Sequence, residues 1–294
     1  MRKLKAGICG IKMVTTGIKM VTNEPLLRSN TAGVIEAAAR RFDVSPLVHA
    51  EDFIFHYLLN CGTPRETAVQ HYFESGRTSA EQAASIFKEH VARPPRTILD
   101  FACGYGCVTR HLHHVFPGAT VTGCDVLDSA VEFVSRGLGV RAMRSSAIPE
   151  DFAYGGKFDL VIVLSLFSHL PERTFSRWLR RLARLATPGG LVLFTTHGRK
   201  SVPHFGNPVL GANGFWHEAR REHHNLDPLH YGLTINTRDY CEICVNEIRG
   251  IRLIDYREGM WWGHQDAYVI QREGRLTSSM RPISRLVTIP WRPR

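Results

Sequence analysis

A glycine-containing loop and two carboxylates are the residues of this chain whose types and spacing suit the binding of a nucleotide-like ligand. The stretch DFACGYG (100–106) follows a predicted strand and precedes a predicted helix. Its glycines, Gly104 and Gly106, let the backbone turn tightly and approach a ligand closely, and the following helix presents unpaired N–H groups. Asp125 comes nineteen residues after Gly106, at the end of the next predicted strand, where a carboxylate can accept hydrogen bonds from both hydroxyls of a ribose.

Two classes of ligand are compatible with a loop of this kind. A dinucleotide site requires the pattern G-x-G-x-x-G, but Thr109 stands at the position of the third glycine, and Asp100 would repel a pyrophosphate. An acid beside the loop suits a ligand with a positive amino group, and S-adenosylmethionine carries both an ammonium and a sulfonium. The ribose contact expected of Asp125 is common to both classes, so it does not separate them by itself.

Four segments of the chain, in this order, resemble class I S-adenosylmethionine-dependent methyltransferases: ILDFACGYGCVTRHL, TGCDVLDSAVEF, FDLVIVLSLFSHLPE and LARLATPGGLVLFTTHG. The resemblance covers about residues 97–271, and it is the combination of segments that is specific, since the glycine loop alone would be weak. It implies a Rossmann-like, doubly wound α/β sheet of seven strands whose last strand is antiparallel. It also implies S-adenosyl-L-methionine as the cofactor.

The resemblance further implies roles for individual residues. Asp100 would lie near the amino end of the cofactor, and Asp125 would bind its ribose. The loop under the methionine part would be formed by Ala102, where the family usually has glycine, and by Gly104 and Gly106. The other implied contacts are Val126 and Leu127 at the adenine, Ser146 and Ala147 where many members carry an acid near the adenine amino group, Ser165 near the sulfonium, and Arg77 at the cofactor carboxylate.

His169 and His197 are candidate general bases, since each follows the C-terminal end of a predicted strand. Ligands of open α/β sheets bind at that edge, and a histidine titrates near neutrality. A base is needed only if the methyl acceptor arrives protonated; otherwise the protein contributes alignment and exclusion of water. The alternative for His169 is a structural role, in which its imidazole bonds backbone in the turn before the next helix. No metal site is predicted, because Cys241 and Cys244 lack a second pair of ligands.

Hydrophobic periodicity and turn signals predict the elements that position these residues. The N-terminal part should be helical over 34–42, 51–59, a segment opened by the capping box Thr63–Glu66 and ending at Phe73, and a segment opened by Ser79–Gln82 and ending at His90. Beyond it, strands at 97–101, 120–124, 140–144, 158–164, 191–196, 251–257 and 266–271 alternate with helices at 108–116, 129–136, 173–186 and 238–250. Such alternation is typical of a parallel, doubly wound sheet.

The chain divides into four predicted parts: a basic leader (1–30), an N-terminal helical cap (31–96), the methyltransferase core (97–271) and a basic C-terminal tail (272–294). Within the core, residues 198–232 interrupt the alternation of strands and helices, and we expect them to form a substrate lid or insertion. The leader contains a tandem repeat, GIKMVTT (10–16) followed by GIKMVTN (17–23), which is too short for a solenoid.

The formal net charge of +10 comes from the two ends of the chain, because residues 31–270 contain equal numbers of basic and acidic side chains. An electrically balanced body favours a small-molecule or metabolite acceptor over nucleic acid. The alternatives are an RNA or protein methyltransferase that uses the basic ends as arms, a non-catalytic member that binds a partner, and a nicotinamide oxidoreductase. Seven irregularly spaced cysteines and the absence of an apolar run of about 18 residues predict a cytoplasmic protein with reduced thiols and no membrane-spanning helix.

Overall fold

A computed structural model describes residues 29–221 and 226–274 of the chain. The tandem repeat of the leader and most of the basic tail lie outside the described residues. The strands, in chain order, are β1 (Thr97–Phe101), β2 (Thr120–Asp125), β3 (Arg141–Arg144), β4 (Phe158–Val163), β5 (Ala186–His197), β6 (Phe215–Glu218), β7 (Leu233–Asn236), β8 (Ile251–Trp261) and β9 (Gln265–Arg272). The α-helices are α1 (Ser29–Arg41), α2 (Phe53–Asn60), α3 (Arg65–His90), α4 (Thr109–Val115), α5 (Asp128–Glu132), α6 (Glu172–Ala183) and α7 (Arg238–Asn246).

Seven of the strands form one sheet in the order β3-β2-β1-β4-β5-β9-β8. The strands β1 to β5 pair in parallel, and β9 lies antiparallel between β5 and β8. The prediction of a Rossmann-like, doubly wound sheet with an antiparallel last strand is therefore confirmed. The apolar runs of β4 and β5 explain its centre, because strands buried on both faces need side chains that avoid water on both sides.

Helices cover both faces of the sheet and bury two apolar layers. Phe175 and Trp178 of α6 pack with Val245 of α7 on one face. Phe87 of α3 and Leu112 of α4 pack on the other. A third, smaller cluster joins α1, α2 and α3 to one another. This arrangement leaves the C-terminal ends of the parallel strands as the edge where loops can form a site. No helix in the part of the chain that the structure describes is long and apolar enough to cross a membrane.

The strand β5 begins earlier than predicted. We expected a helix to continue to Ala186 and a turn at residues 188–190, whereas α6 ends at Ala183 and Ala186 already pairs with Phe158 of β4. The pairing register then shifts before Leu191 meets Leu160. The proline and two glycines therefore form an irregularity inside the strand, because the neighbouring residues on both sides find partners on β4.

One 26-residue helix, α3, replaces the two helices predicted for residues 63–90. At its start Pro64 is the N-cap and makes no side-chain capping bond, so the first capping box does not form. Ser79 is not a cap either: it is buried in the middle of the helix, where its Oγ accepts a hydrogen bond of 3.1 Å from Nε1 of Trp261. Residues of α3 are buried in two hydrophobic clusters, and this burial stabilises the helix through residues whose local preference is for caps.

Gly76, in the middle of α3, permits this helix to lie close to the backbone of Cys107, in the turn before α4. A Cβ built on Gly76 would lie 2.1 Å from the carbonyl oxygen of Cys107. We therefore expect Gly76→Ala to lower the free energy of unfolding by about 2–4 kcal/mol, because the backbone must move apart. Gly33→Ala in α1 is the matched control, since its Cβ meets nothing within 4 Å.

Gly33→Ala should raise the free energy of unfolding by about 0.5–1 kcal/mol through helix propensity alone. Urea unfolding of both variants measures the difference. Equal effects of the two substitutions would contradict the close approach at Gly76.

The hairpin of β6 and β7 was not predicted, because its two four-residue strands are separated by a long connection. It docks on the turn that follows β4: the N–H of Thr234 donates to the carbonyl of Ser168 at 2.8 Å, and the N–H of Gly232 donates to the carbonyl of His169 at 2.9 Å. The segment expected to form a lid or insertion therefore contributes this hairpin at the edge where the parallel strands end.

Candidate functional site

The strand register brings the predicted loop, acid and serine to one edge of the sheet. Asp100 of β1 pairs with Gly123 of β2 on one side and with Ile162 of β4 on the other. Neighbouring strands lie about 4.8 Å apart. The chain leaves these three strands two or three residues later, so the loop 102–106, Asp125 and Ser165 lie side by side at the C-terminal edge.

The loop after β1 takes its shape from three residues with left-handed backbone. Ala102, Gly104 and Gly106 have φ angles of 59°, 52° and 77°. At Ala102 this conformation costs about 1 kcal/mol relative to the glycine that the family usually has there. A Cβ on Gly106 would lie 2.4 Å from Leu138, whereas a Cβ on Gly104 would meet nothing within 4 Å. At Gly106 the loop therefore packs directly against the side chain of Leu138, whereas Gly104 lies beside open space.

Asp125 ties the loop to the end of β2. Its Oδ2 accepts a hydrogen bond of 2.8 Å from the N–H of Gly104, and its Oδ1 accepts one of 3.0 Å from the N–H of Leu127. Burial raises the pKa of the Asp125 carboxyl, and these backbone donors oppose that rise. Because each carboxylate oxygen can accept a second bond, Asp125 retains the capacity to accept from ligand hydroxyls.

The carboxylate of Asp100 lies beneath the loop, so a contact with the amino end of the cofactor, through water or backbone, stays a prediction. This carboxylate is 3% exposed and accepts a hydrogen bond of 2.6 Å from the hydroxyl of Thr109. Burial raises the pKa of Asp100 to about 7, with a further contribution from the charge of Asp125. The threonine at the third-glycine position thus supplies the hydroxyl that solvates a buried acid.

The raised pKa of Asp100 predicts a pH-dependent effect of Asp100→Asn on stability. In the unfolded chain the carboxyl titrates near its ordinary value of 3.8. Between about pH 4 and pH 7 the folded chain therefore binds more protons, and this group lowers stability as the pH rises. Asn keeps the acceptor for Thr109 and carries no charge, so the variant should gain stability relative to the wild type over that range and level off above it.

Urea unfolding at pH 5 and pH 8 checks the effect of Asp100→Asn. The exposed Asp128 provides the control substitution, Asp128→Asn. A stability difference between Asp100→Asn and wild type that is the same at both pH values would contradict an acid that loses its proton near neutrality.

Arg110 of α4 fastens the N-terminal part of the chain to the loop. We call residues 45–52, which run between α1 and α2, the strap. The Arg110 guanidinium is buried and donates to the carbonyls of Ser45 and Leu47 in the strap, both at 2.9 Å. It also donates to the carbonyls of Gly106 at 3.0 Å and Tyr105 at 3.3 Å in the loop. One side chain therefore holds two separate backbone segments in one arrangement.

A second set of contacts joins the strap to the loop and to α5. The carboxylate of Glu51 accepts from the hydroxyl of Tyr105 at 3.0 Å and from Ser129 at 3.2 Å. The ring of His49 stacks on Tyr105, with 4.4 Å between centroids. Burial is the main cause that raises the pKa of Tyr105, and Asp125 adds to it, so the two acids of this region lie close to the same phenol. The strap is thus a wall of the cleft beside Asp125.

The predicted adenine-side residues lie next to Asp125. The N–H of Ser145 donates to the carbonyl of Asp125 at 2.7 Å, so the turn 145–147 adjoins Val126 and Leu127. The Ser146 hydroxyl oxygen accepts from the N–H of Ile148 at 3.1 Å. In this arrangement Ser146 stabilises its own turn and Ala147 is exposed.

Arg77 is not brought together with the other predicted site residues. Its guanidinium pairs with Glu81, one turn further along α3, at 2.7 Å. It lines a surface pocket together with Arg41 and Glu74. This placement gives no support to the expected contact between Arg77 and a cofactor carboxylate.

Ser165 has a left-handed backbone, with φ of 57°, at the end of β4. Its N–H donates to Oγ1 of Thr195 at 2.9 Å, and its Oγ accepts from Nε2 of Gln265 at 2.7 Å. The Gln265 amide oxygen accepts from the hydroxyl of Thr195 at 2.7 Å. Residues of β5 and β9 therefore hold the serine in place from the side opposite the loop.

The two candidate bases differ in how the protein engages their nitrogens. His197 is buried, with Nδ1 3.1 Å from the carbonyl of Thr234 and Nε2 3.3 Å from Nε2 of Gln265. Burial lowers the pKa of His197 well below its ordinary value, so the ring is neutral. Both nitrogens are bonded within the protein, which argues for a structural role. His169 stacks on Tyr231, and its Nδ1 lies 2.7 Å from the carbonyl oxygen of Gly232.

Two residues of the site, Arg110 and Gln265, were not predicted from the sequence. A single arginine in a helix that also contains His111, His113 and His114 carries no spacing signal, and a glutamine at the start of an apolar strand is ordinary. No group of three or more potential ligands among the described histidine, cysteine and acidic residues has the geometry of a metal site.

Comparisons with known proteins agree with this geometry. A family model described as a methyltransferase domain matches residues 99–192, which run from β1 into β5. A malonyl-[acyl-carrier protein] O-methyltransferase from Anoxybacillus flavithermus is 27% identical over 143 residues, which are 45% of this chain and 54% of that protein. A ubiquinone biosynthesis O-methyltransferase from Stutzerimonas stutzeri is 30% identical over 123 residues, 38% of this chain and 48% of that protein. The chain thus spans about half the length of the curated relatives it matches.

Among solved structures, this chain is similar to an amino pentose methyltransferase from Micromonospora echinaspora, determined with S-adenosylmethionine bound. The two share 18% identity with a TM-score of 0.52, over 70% of this chain and 95% of that one. At this identity the similarity is one of fold.

Proposed function

We propose that the chain is a class I S-adenosylmethionine-dependent methyltransferase that binds S-adenosylmethionine at the loop 102–106 and methylates a small-molecule acceptor. The observation that carries this proposal is the bond between the N–H of Gly104 and Oδ2 of Asp125. It places a left-handed glycine loop against a buried carboxylate at the end of the neighbouring strand, where a ribose and the chain attached to it can both be held.

The residues present fit the cofactor. The open space beside Gly104 admits a ligand that a side chain would fill. Asp125 would accept from the ribose hydroxyls, Val126 and Leu127 would flank the adenine, and Ala102 would lie under the methionine part. When bound, S-adenosylmethionine supplies an electrophilic methyl carbon, and the electron pair of the broken carbon–sulfur bond stays on sulfur. The chain itself contributes alignment and exclusion of water.

The other parts of the chain take the following proposed roles. Residues 97–271 form the catalytic core, and residues 31–96 form a helical cap whose strap closes the cofactor side of the cleft. Residues 198–232 supply the acceptor side, where the β6–β7 hairpin reaches the turn after β4. The two curated relatives described above are O-methyltransferases by name, which supports an oxygen atom as the methyl acceptor.

His169 is the residue that we propose as general base if the acceptor carries a proton. Its Nδ1 contacts the carbonyl of Gly232 and its ring stacks on Tyr231, so Nε2 is the nitrogen that would take up the proton. His197 is better suited to holding its neighbours in place, since its two nitrogens are engaged by Thr234 and Gln265.

Isothermal titration of the full chain tests cofactor use. We expect saturable binding of S-adenosylmethionine and of its demethylated product, and no binding of NAD. Binding of NAD with no response to S-adenosylmethionine would overturn the proposal in favour of a nicotinamide enzyme. Transfer of a radiolabelled methyl group to a small acceptor then separates an active enzyme from a member that binds the cofactor only.

A further inference from the structure

The hydrogen bonds at the ends of β4, β5 and β9 can be given directions atom by atom. Two groups have fixed roles: the carbonyl of Thr234 only accepts, and the N–H of Ser165 only donates. Because that carbonyl accepts, Nδ1 of His197 carries the hydrogen of the 3.1 Å bond between them. The buried ring is neutral, so its lone pair is on Nε2.

The side-chain amide of Gln265 can satisfy its three hydrogen-bond partners in only one orientation. Its Nε2 must donate to the lone pair of His197, and its second hydrogen is donated to Oγ of Ser165 at 2.7 Å. Its oxygen accepts from the hydroxyl of Thr195, whose own oxygen accepts from the N–H of Ser165. A rotated amide would set an oxygen against the lone pair of His197, so the partners themselves determine the orientation.

The hydrogen bonds of Ser165, Thr195, His197 and Gln265 use every polar hydrogen of this group that is described above except the hydroxyl hydrogen of Ser165. The oxygen of Ser165 already accepts from Gln265, and its own hydrogen can be donated to a ligand at the C-terminal edge of the sheet. Its residue lies at the end of β4, beside the loop that follows β1. Ser165 therefore offers a hydrogen-bond donor at the edge where, under the proposed function, the methyl acceptor binds.

We propose that the hydroxyl of Ser165 donates to the methyl-accepting atom, that this atom is oxygen, and that Gln265 and His197 are positioning residues for this donor. The inference rests on the proposed function and narrows its substrate class to molecules that accept the methyl group on oxygen. An amine attacks with its single lone pair, and a donor aimed at that lone pair competes with the reaction. An oxygen has a further lone pair that can accept from Ser165 while another attacks.

A matched pair of variants, Ser165→Asn and Ser165→Asp, separates the effect of losing the hydrogen-bond donor from the effect of changing the size of the side chain. Asparagine and aspartate have the same size, and both tolerate the left-handed backbone of this position. Asparagine can receive the Gln265 bond on its oxygen and donate with its amide, whereas an ionised aspartate can only accept. Both variants should bind S-adenosylmethionine within about threefold of wild type, because neither removes a backbone contact of the loop.

The assay measures transfer of a radiolabelled methyl group to three probes: the malonyl thioester of N-acetylcysteamine for carboxylates, catechol for phenols, and aniline for amines. We expect transfer to oxygen, and the probe that is methylated identifies which oxygen class is used. Ser165→Asp should lower kcat/KM for that probe by about 100-fold, because an ionised aspartate cannot donate to the acceptor oxygen and repels an anionic acceptor from its reactive position. Ser165→Asn should stay within about tenfold of wild type. Preferred methylation of aniline, or equal losses in the two variants, would overturn the proposal.

A second measurement examines the positioning residues whichever probe is methylated. Nitrogen-15 NMR should find His197 neutral and protonated on Nδ1 at pH 7. Burial lowers the pKa of His197 most, and the charges of His169, His264 and Arg220 lower it further. In Gln265→Glu the donor to Nε2 is lost and a carboxylate replaces it, so His197 should become protonated near neutral pH.

A wild-type His197 that carries its proton on Nε2, or that titrates at its ordinary pKa, would overturn the assigned directions. Failure of the proposed function has a different signature, because the wild-type chain would then not bind S-adenosylmethionine at all.

Discussion

Arg110→Met should lower the free energy of unfolding by about 3–5 kcal/mol, the loss expected when a buried charged partner is removed from polar groups that stay behind. The guanidinium of Arg110 donates to four backbone carbonyls, two in the strap and two in the loop after β1. It also donates to the hydroxyl of Tyr72 at 3.2 Å. Methionine fills a similar volume but donates nothing, so these buried acceptors lose their partner.

The same substitution should weaken the binding of S-adenosylmethionine in the protein that remains folded. Tyr105 and Gly106 belong to the loop where we propose that the cofactor binds, and Arg110 holds their carbonyls while it holds the strap. Without it, the loop and strap are no longer fixed relative to each other. Arg110→Lys should fall between wild type and Arg110→Met, because one ammonium with three hydrogens cannot reach all of these acceptors.

Arg136→Met is the control for the effect of Arg110→Met. Arg136 is 81% exposed and pairs with Glu132 on the surface, so its loss should change stability by no more than about 0.5 kcal/mol. Urea unfolding measures stability, and calorimetric titration at a temperature where each variant is folded measures affinity. Similar stabilities for the two methionine variants would contradict the role assigned to Arg110.

The cleft has two halves that are built by different physical means. On the side of β1 and β2, backbone donors and a buried carboxylate hold a glycine loop, and Arg110 binds the strap to it. On the side of β4, β5 and β9, neutral side chains hold Ser165 through directed hydrogen bonds. The first half suits a ligand with hydroxyls and positive charge. The second half holds the hydroxyl of Ser165 at the edge where we propose that the acceptor binds.

The sequence predicted the first half better than the second. Apolar strands followed by turn residues mark the C-terminal edge of a parallel sheet, and Asp125 and the loop 102–106 directly follow such strands. Their proximity needs no information beyond the order of the strands. The same reasoning placed Ser165 at this edge.

The partners of these residues could not be predicted, because they are far apart in the chain and have no spacing pattern. Arg110 and Ser45 are 65 residues apart, and Gln265 and Ser165 are 100 residues apart. Asp100 illustrates a different limit. Its position on β1 was predicted, but the direction of its side chain depends on Thr109, which offers a hydroxyl beneath the loop.

Asp125→Asn should lower the affinity for S-adenosylmethionine by about 100-fold or more. The carboxylate of Asp125 accepts from the N–H groups of Gly104 and Leu127 with different oxygens. Asparagine supplies one oxygen, so its amide hydrogens face one of these N–H groups and the loop loses an anchor. The charge that strengthens bonds to the ribose hydroxyls is lost as well. Hydrogen bonds to a charged group contribute about 1.5–3 kcal/mol each, and the weakening of two such bonds to the ribose corresponds to a loss of about 100-fold or more.

Asp128→Asn is the matched control for Asp125→Asn, three residues further along the chain. Its carboxylate is 71% exposed and pairs with Arg144 on the surface, so the affinity should stay within about twofold of wild type. Calorimetric titration of both variants measures the difference, and thermal melting confirms that each is folded. Wild-type affinity in Asp125→Asn, or equal losses in the two variants, would mean that the cofactor does not bind at the carboxylate that holds the loop. The ligand would then have to lie elsewhere along the edge formed by β4 and β5.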